Sequence, residues 1–278
     1  MLIVALDAVT TAALLFIISS GLLIVFGVMK IINFAHAAFV TVGAYAALVG
    51  ARLGLPWALV LPLAFATGAT CGALTEASIV RRLYARPLDA ILATWGLGIV
   101  IGQIVTLIFG REVQFVQAPI TGTIDLLGMD YSAYRIVMIG AAVIVALAFT
   151  ALLNGTRLGL STRAVIMNEV LAQGLGIDSA RVRLVTFAIG SGLAALSGAL
   201  ITPLSSVDPN MGVPWLISAF MLVMVSGGSL LTLAVSSLAL GGLQVIVSTF
   251  VNPILGGLTI AICAAIVLRI RPEGFARA

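Results

Sequence analysis

Apolar runs long enough to cross a bilayer follow one another along this chain, with hardly a charge inside them. A hydrocarbon core takes about 17–25 apolar residues per helical crossing. Runs of that kind lie near 9–29, 34–51, 56–80, 88–109, 135–153, 184–203, 214–230, 232–250 and 253–268. Inside lipid every backbone N–H and C=O must find its partner in the protein, which leaves helices or a closed barrel. Barrel strands alternate in polarity over about ten residues, whereas these runs are continuous. The pattern therefore predicts an all-α, polytopic transmembrane helical bundle of about 8–9 spans. With 62% hydrophobic and 9% charged residues in 278, a soluble domain would lack the polar groups to cover its surface.

The few cations orient the bundle. Lys30, then Arg81, Arg82 and Arg86, then Arg157, Arg163, Arg181 and Arg183, then Arg269, Arg271 and Arg277 fall on one side, leaving Arg52, Arg111 and Arg135 opposite. The positive-inside rule makes the richer side cytoplasmic, with the N-terminus outside and the C-terminus inside. The net charge of +4 is thus an orientation signal and does not indicate nucleic acid. The first run lacks a basic flank and a cleavage signature, so it reads as a retained helix. Cys71 and Cys263 sit in apolar stretches without paired spacing and indicate neither disulfide nor metal site.

Two regions are expected to be re-entrant or broken: 34–51, which is short and opens on polar residues, and 214–250, interrupted by Ser226, Gly227, Gly228 and Ser229. Irregular backbone at membrane depth is tolerated where it lines a cavity or is buried in protein. Small residues recur at helical spacing as Gly190, Ala194 and Gly198, as Ser191, Ala195 and Ala199, and as Gly98 and Gly102. Such ladders let helix backbones approach and are expected to be packing surfaces.

Polar residues within spans are the translocation-path candidates, because each is costly in lipid unless partnered or facing a cavity. They are Asn33, His36, Thr41, Tyr45, Thr94, Trp95 and Gln103. Asn33 and His36 would lie one turn apart if that stretch is helical, and Trp95, Gly98, Gly102 and Gln103 share one face of the fourth run. Glu76 is expected to pair locally with Arg81. A single histidine and scattered acids give no catalytic or metal-ligand cluster, so the chain reads as a non-enzyme without cofactors.

The longest polar stretch on the cytoplasmic side, Asn154 to Arg183, has the marks of an ordered surface helix. Ser161 and Thr162 are candidate N-caps, Arg163 to Gln173 is helix-forming, Gly174 and Gly176 are stops, and Asp178 is a cap for the next span. No phosphate-binding loop of the G-x-x-x-x-G-K-[ST] type occurs. If ATP drives this protein, another subunit hydrolyses it and this segment would be the surface offered to that subunit; the alternative is a membrane-surface helix without a partner.

Several motifs occur here in one order. Gly27 to Tyr45, GVMKIINFAHAAFVTVGAY, is followed by Gly159, Arg163, Ala164, Asn168, Ala172, Gly176 and Ile177, by Phe187, Gly190, Ala194 and Gly198, and by Arg271, Pro272 and Gly274. Together they resemble the permeases of ABC importers for branched-chain amino acids, amides and urea, the hydrophobic amino acid uptake group, over nearly the whole chain. Three features depart from that pattern: Ala37 stands where Gly is usual, Glu169 where Pro is common, and 227–242 keeps part of a Gly-rich stretch.

The resemblance implies a single transmembrane permease domain over 1–278 with a coupling loop at 154–183. It implies as partners a second homologous permease, two ATP-binding subunits, an extracytoplasmic solute-binding protein and membrane lipid, in a bacterial-type cytoplasmic (inner) membrane. The residues expected to couple to the ATPase are Gly159, Arg163, Ala164, Asn168, Glu169, Ala172 and Gly176. The expected cargo is a small neutral solute, a branched-chain amino acid or urea or a short amide; Arg86 to Gly96, RPLDAILATWG, resembles the urea and amide branch. The alternative is a secondary transporter or channel working without ATPases, for which an intramembrane ionisable pair would be the sign.

Overall fold

The computed structural model describes residues 1–126, 128–272, 274 and 275; Arg277, counted above with the cytoplasmic cations, lies outside them. Among the described residues there are eleven α-helices. They are α1 (Leu2–Met29), α2 (His36–Arg52), α3 (Trp57–Ser78), α4 (Pro87–Phe109), α5 (Ala133–Gly155), α6 (Arg157–Met167), α7 (Glu169–Gly174), α8 (Ser179–Ile201), α9 (Val213–Ser226), α10 (Leu230–Phe250) and α11 (Pro253–Ile270). A 3₁₀ turn at Val80–Leu83 follows α3. One antiparallel pair, β1 (Thr123–Asp125) with β2 (Asp130–Ser132), sets Ile124 opposite Tyr131.

Seven helices, α1, α3, α4, α5, α8, α10 and α11, are long and apolar enough to cross a membrane. The two suspect runs are the short ones. α2 has 17 residues and α9 has 14, about 25 and 21 Å of rise at 1.5 Å per residue. Gly227 and Gly228 break α9 from α10 with φ of 63° and 92°, a left-handed conformation open to glycine at little cost. Elsewhere capping sets the boundaries. Asp178 Oδ1 accepts from the Arg181 N–H (3.0 Å) at the start of α8, and Asn252 Oδ1 from the Ile254 N–H (2.8 Å) before Pro253 opens α11.

The structure falls into two compact units. One comprises Gly21–Val116 and Ala146–Leu216, and its centre is α8. The two small-residue ladders of α8 meet different neighbours. Gly190 lies against the Gly21 carbonyl and Val25 of α1, and Gly198 against the Val40 carbonyl and Ala44 of α2. Ser191 and Ala195 receive Gly68 and Gly72 of α3, while Ala199 joins Ala47, Val60 and Ala64 in an apolar cluster. A Cβ on Gly43 would overlap the Ala195 carbonyl group, and one on Gly198 the Val40 oxygen. Lipid supplies no hydrophobic drive between helices, so this close backbone approach, with its dispersion contacts, is what associates them.

The other unit comprises Met1–Ser20, Gln117–Val145 and Ile217–Ala278. α10 and α11 form a hairpin in which Gly256 faces Ser248, 2.6 Å from Ser248 Cβ to the position a Cβ would take. Asp7 of α1 pairs with Arg135 of α5 and accepts from the Tyr131 hydroxyl (3.0 Å), which also lies 3.1 Å from Thr10 Oγ1. β2 is thereby tied to the start of the first helix. At the other end, the Phe275 N–H donates to the Val225 carbonyl (2.8 Å) in the last turn of α9.

Gly43→Leu and Gly198→Leu force side-chain atoms into immovable backbone, and overpacking of this kind costs about 1–3 kcal/mol or more. Both variants should lose monodisperse protein in detergent and melt earlier in a fluorescence size-exclusion assay. Gly257→Ala, whose Cβ meets nothing within 4 Å, should behave as wild type.

Candidate functional site

The path candidates gather where helices are interrupted. Lys30, with φ of 56°, ends α1 and begins a non-helical segment to Ala35. Asn33 is therefore not one helical turn from His36 on a shared helix, as the sequence suggests. It lies before α2: its Oδ1 accepts from the Ala35 N–H (3.1 Å) and its carbonyl from the His36 N–H (3.3 Å). An Asx turn of this kind offers the backbone a partner other than the helix. Asn33 and His36 are both buried.

Across from this segment stands α4. The Phe34 N–H donates to Thr94 Oγ1 (3.2 Å), the Thr94 hydroxyl donates to the Ile91 carbonyl (3.0 Å), and the Phe34 ring meets Trp95 edge-on at 5.3 Å. One turn along α4, Gly98 faces the Phe34 carbonyl, and a further turn along Gly102 faces Pro209 and Asn210. These two belong to a second non-helical stretch, between α8 and α9. It is held at Val207 by paired backbone bonds with Gln114 (2.9 and 2.8 Å), and Arg52 donates to the Gln114 side chain (3.0 Å). It then reaches α2, where the Gly212 N–H donates to Thr41 Oγ1 (3.3 Å) and Gly212 abuts the Ala37 backbone too closely for any side chain.

The structure thus brings Asn33, His36, Thr94 and Trp95 together at one interruption, and Thr41 to the other. Tyr45, four residues beyond Thr41, packs its ring on Phe109 at 4.7 Å. The Tyr45 hydroxyl and Asn33 Nδ2 are buried without a hydrogen-bond partner among the described residues. Gln103 is separate from this cluster: it is exposed on a helix whose other exposed residues include Leu92, Ile99 and Ile104.

The segment from Asn154 to Arg183 is ordered, but differently from its sequence reading. Thr156 is the N-cap, accepting from the Gly159 N–H (3.1 Å), and Ser161 and Thr162 lie inside α6. The expected single helix is two, because Asn168 adopts an extended conformation (φ −158°, ψ 103°). It closes α6 and caps α7 through its Oδ1, which accepts from the Leu171 N–H (3.0 Å). Gly176, at φ 85°, turns the chain after α7, and Asp178 caps α8 as expected.

The other coupling candidates are built into this scaffold. Gly159 packs directly on the Leu152 and Leu153 carbonyls. Arg163 is exposed and donates to Asn154 Oδ1 (3.3 Å). Ala164 and Ala172 belong to an apolar cluster with Val28, Val165, Val182, Ile166 and Ile177. Glu169 pairs with Arg183 of α8.

Glu76 does not follow its expectation. Among the described residues no ion pair joins it to Arg81. It is 1% exposed and accepts from the Tyr84 hydroxyl across the 3₁₀ turn. Burial first, and then the Glu76 carboxylate, hold the Tyr84 phenol above its ordinary range, so it stays a neutral donor.

Sequence reasoning also missed the outer face of the α6–α7 segment. Leu160, Met167, Val170, Leu171 and Leu175 are exposed, Met167 at 86% and Val170 at 80%. Their signal was available: large apolar residues in a stretch otherwise rich in polar ones.

Known proteins resemble this chain in fold and in sequence. In solved structures, PsaBC from Streptococcus pneumoniae, in complex with Fab, has a similar fold, with a TM-score of 0.54 at 15% identity over 96% of this chain and 91% of that one. In sequence, the probable branched-chain amino acid transport permease LivH of Methanocaldococcus jannaschii is 28% identical over 79% of this chain and 72% of its own. The high-affinity branched-chain amino acid permease LivH of Salmonella typhimurium is 27% identical, covering 88% and 85%. The corresponding BraD of Pseudomonas aeruginosa is 26% identical, covering 96% and 93%. The family model for "Branched-chain amino acid transport system / permease component" matches residues 4–268. That span takes in the interrupted helices and the α6–α7 pair alike, and the chain belongs to the branched-chain amino acid ABC transport permease family.

Proposed function

We propose that this protein is the membrane-embedded subunit of an ATP-driven importer and moves a small neutral solute of the branched-chain amino acid class inward across a bacterial-type cytoplasmic membrane. The observation that carries the reading is the exposed apolar row on α6 and α7. Large exposed apolar side chains on a short, rigidly backed surface mark a protein interaction site. Val165 and Ala172 anchor the inner face, while Met167, Val170, Leu171 and Leu175 face outward. In this reading they seat in an ATP-binding subunit, and Gly159, Arg163, Ala164, Asn168, Glu169, Ala172 and Gly176 give the seat its shape.

The cation distribution supports placing α6 and α7 in the cytoplasm, with the N-terminus outside and the C-terminus inside. Closure of two ATPase subunits pushes α6–α7 and rocks the adjoining helices between outward and inward access, a rigid-body transition between two states. The solute passes the interruptions around Asn33, His36, Thr41, Tyr45, Thr94 and Trp95. Gln103, a polar side chain otherwise left to lipid, faces a second, homologous permease. A solute-binding protein delivers cargo from outside. The branched-chain amino acid permeases named above support that solute class, and the likeness of Arg86–Gly96 to the urea and amide branch keeps short amides as a second reading.

Vesicles holding this chain with its partner subunits should accumulate labelled leucine only with internal ATP. Accumulation of urea or a short amide instead selects the second reading, and ATP-independent equilibration means a facilitator. Met167→Asp and Val170→Asp should each weaken co-purification of the ATP-binding subunit about tenfold or more, as loss of a buried anchor does; undiminished capture rejects the docking face. With Cys71 and Cys263 replaced, a cysteine at Gly54 should react with an impermeant maleimide on whole cells and one at Leu175 should not. The reverse pattern inverts the topology.

A further inference from the structure

α7 has six residues, too few to be rigid by itself, yet on the reading above it must carry a mechanical stroke. Among the described residues its one ion pair is Glu169 with Arg183, and Glu169 is further fixed by Gln173 Nε2 (3.4 Å). Arg183 sits on the second turn of α8 with its side chain 17% exposed. Its guanidinium carbon lies 4.1 Å from the centroid of the Tyr84 ring, within cation–π range. The Tyr84 hydroxyl in turn donates to Glu76, buried in the last turn of α3. Four side chains therefore run without a gap from the docking helix through α8 to α3.

Each link is one that a purely structural patch would not require. Glu76 is a carboxylate buried at the end of a helix with no other charged residue, and among the described residues its Oε2 lacks a hydrogen-bond partner, as does Arg183 Nε. Burying such groups is expensive and apolar replacements of the same volume usually serve stability as well or better. Their best-attested use is to fix one arrangement among several. The planar guanidinium is suited to this place: one face stacks on Tyr84 while an edge nitrogen holds Glu169, a combination that an ammonium cannot reproduce.

We propose that Arg183 is the positioning residue for coupling: through Glu169 on one side and Tyr84–Glu76 on the other it locks α7 to α3 and α8, so that displacement of the docking helix becomes displacement of the spans. This rests on the importer reading, which supplies the push. Without the lock α7 pivots on Val165 and Ala172, and hydrolysis proceeds with the spans unmoved.

The test is the number of ATP molecules hydrolysed per solute imported by the assembled complex in proteoliposomes, together with hydrogen exchange of the 169–174 amides. Arg183→Lys keeps the charge and loses the stacked, forked geometry. Tyr84→Phe keeps the ring and loses the bond to Glu76, and Glu169→Gln weakens the other side; these two decide if Arg183→Lys does not fold. The expected result is a rise of about tenfold in ATP per solute, faster exchange in 169–174 for Arg183→Lys and Glu169→Gln, and, for Arg183→Lys and Tyr84→Phe, unchanged co-purification of the ATP-binding subunit. A wild-type ratio and wild-type exchange in folded variants overturn the proposal and leave the importer standing. A wild-type complex whose uptake ignores ATP overturns both.

Discussion

Backbone contact along α8 is the constraint on which the larger unit depends. Helices in lipid gain nothing from burying apolar surface as such, because the solvent is equally apolar. What separates a packed bundle from dispersed helices is how closely backbones approach. At Gly190, Ser191, Ala195 and Gly198 the side chains are small enough for α1, α2 and α3 to close on α8. The 3% or less exposure of Phe39, Phe187, Val60 and Ala199 follows from that approach. α4 by contrast is 11% buried over its apolar window and meets this core mainly through its Thr94–Gly102 face.

The tight core lets the irregular segments exist. A chain leaving helical geometry among apolar side chains strands several backbone groups. Here they are met locally and from across the unit: Asn33 and Thr94 serve the stretch before α2, while Thr41 and Gln114 serve the stretch before α9. Both helices that begin at these places are short, α2 with 17 residues and α9 with 14. The side-chain oxygens of Asn33, Thr94 and Thr41 thus replace missing helical bonds. Among the described residues Asn33 Nδ2 and the Tyr45 hydroxyl make no such bond.

Much of this was legible in the sequence, and the illegible parts share a cause. Runs of apolar residues gave the helices, and Gly227–Gly228 gave the break between α9 and α10, since both signals are local. Asp178 was readable as a cap for the same reason. The cap is Thr156 and not Ser161 or Thr162: all three are good cap residues, and Gly159 closing on the end of α5 selects the first. Glu76 was assigned to Arg81 on proximity along the chain, but the 3₁₀ turn returns Tyr84 to it instead. The meeting of Gly212 with Thr41 depends on two distant segments, and no local pattern announces it. The residues named from the motif lie in and around the α6–α7 pair, whereas the apolar side chains on its outside carry no motif.

The bond from the Phe275 N–H to the Val225 carbonyl has a consequence for biogenesis. α9 is laid down well before its last-turn carbonyl acquires this partner, for α10 and α11 must first be made and threaded. At about 5–20 residues per second, translation leaves that end of the helix open for several seconds. During that interval a chaperone or the insertion machinery can still handle α9 as a loose segment. Closure by residue 275 comes late, after both helices of the α10–α11 hairpin have been synthesised.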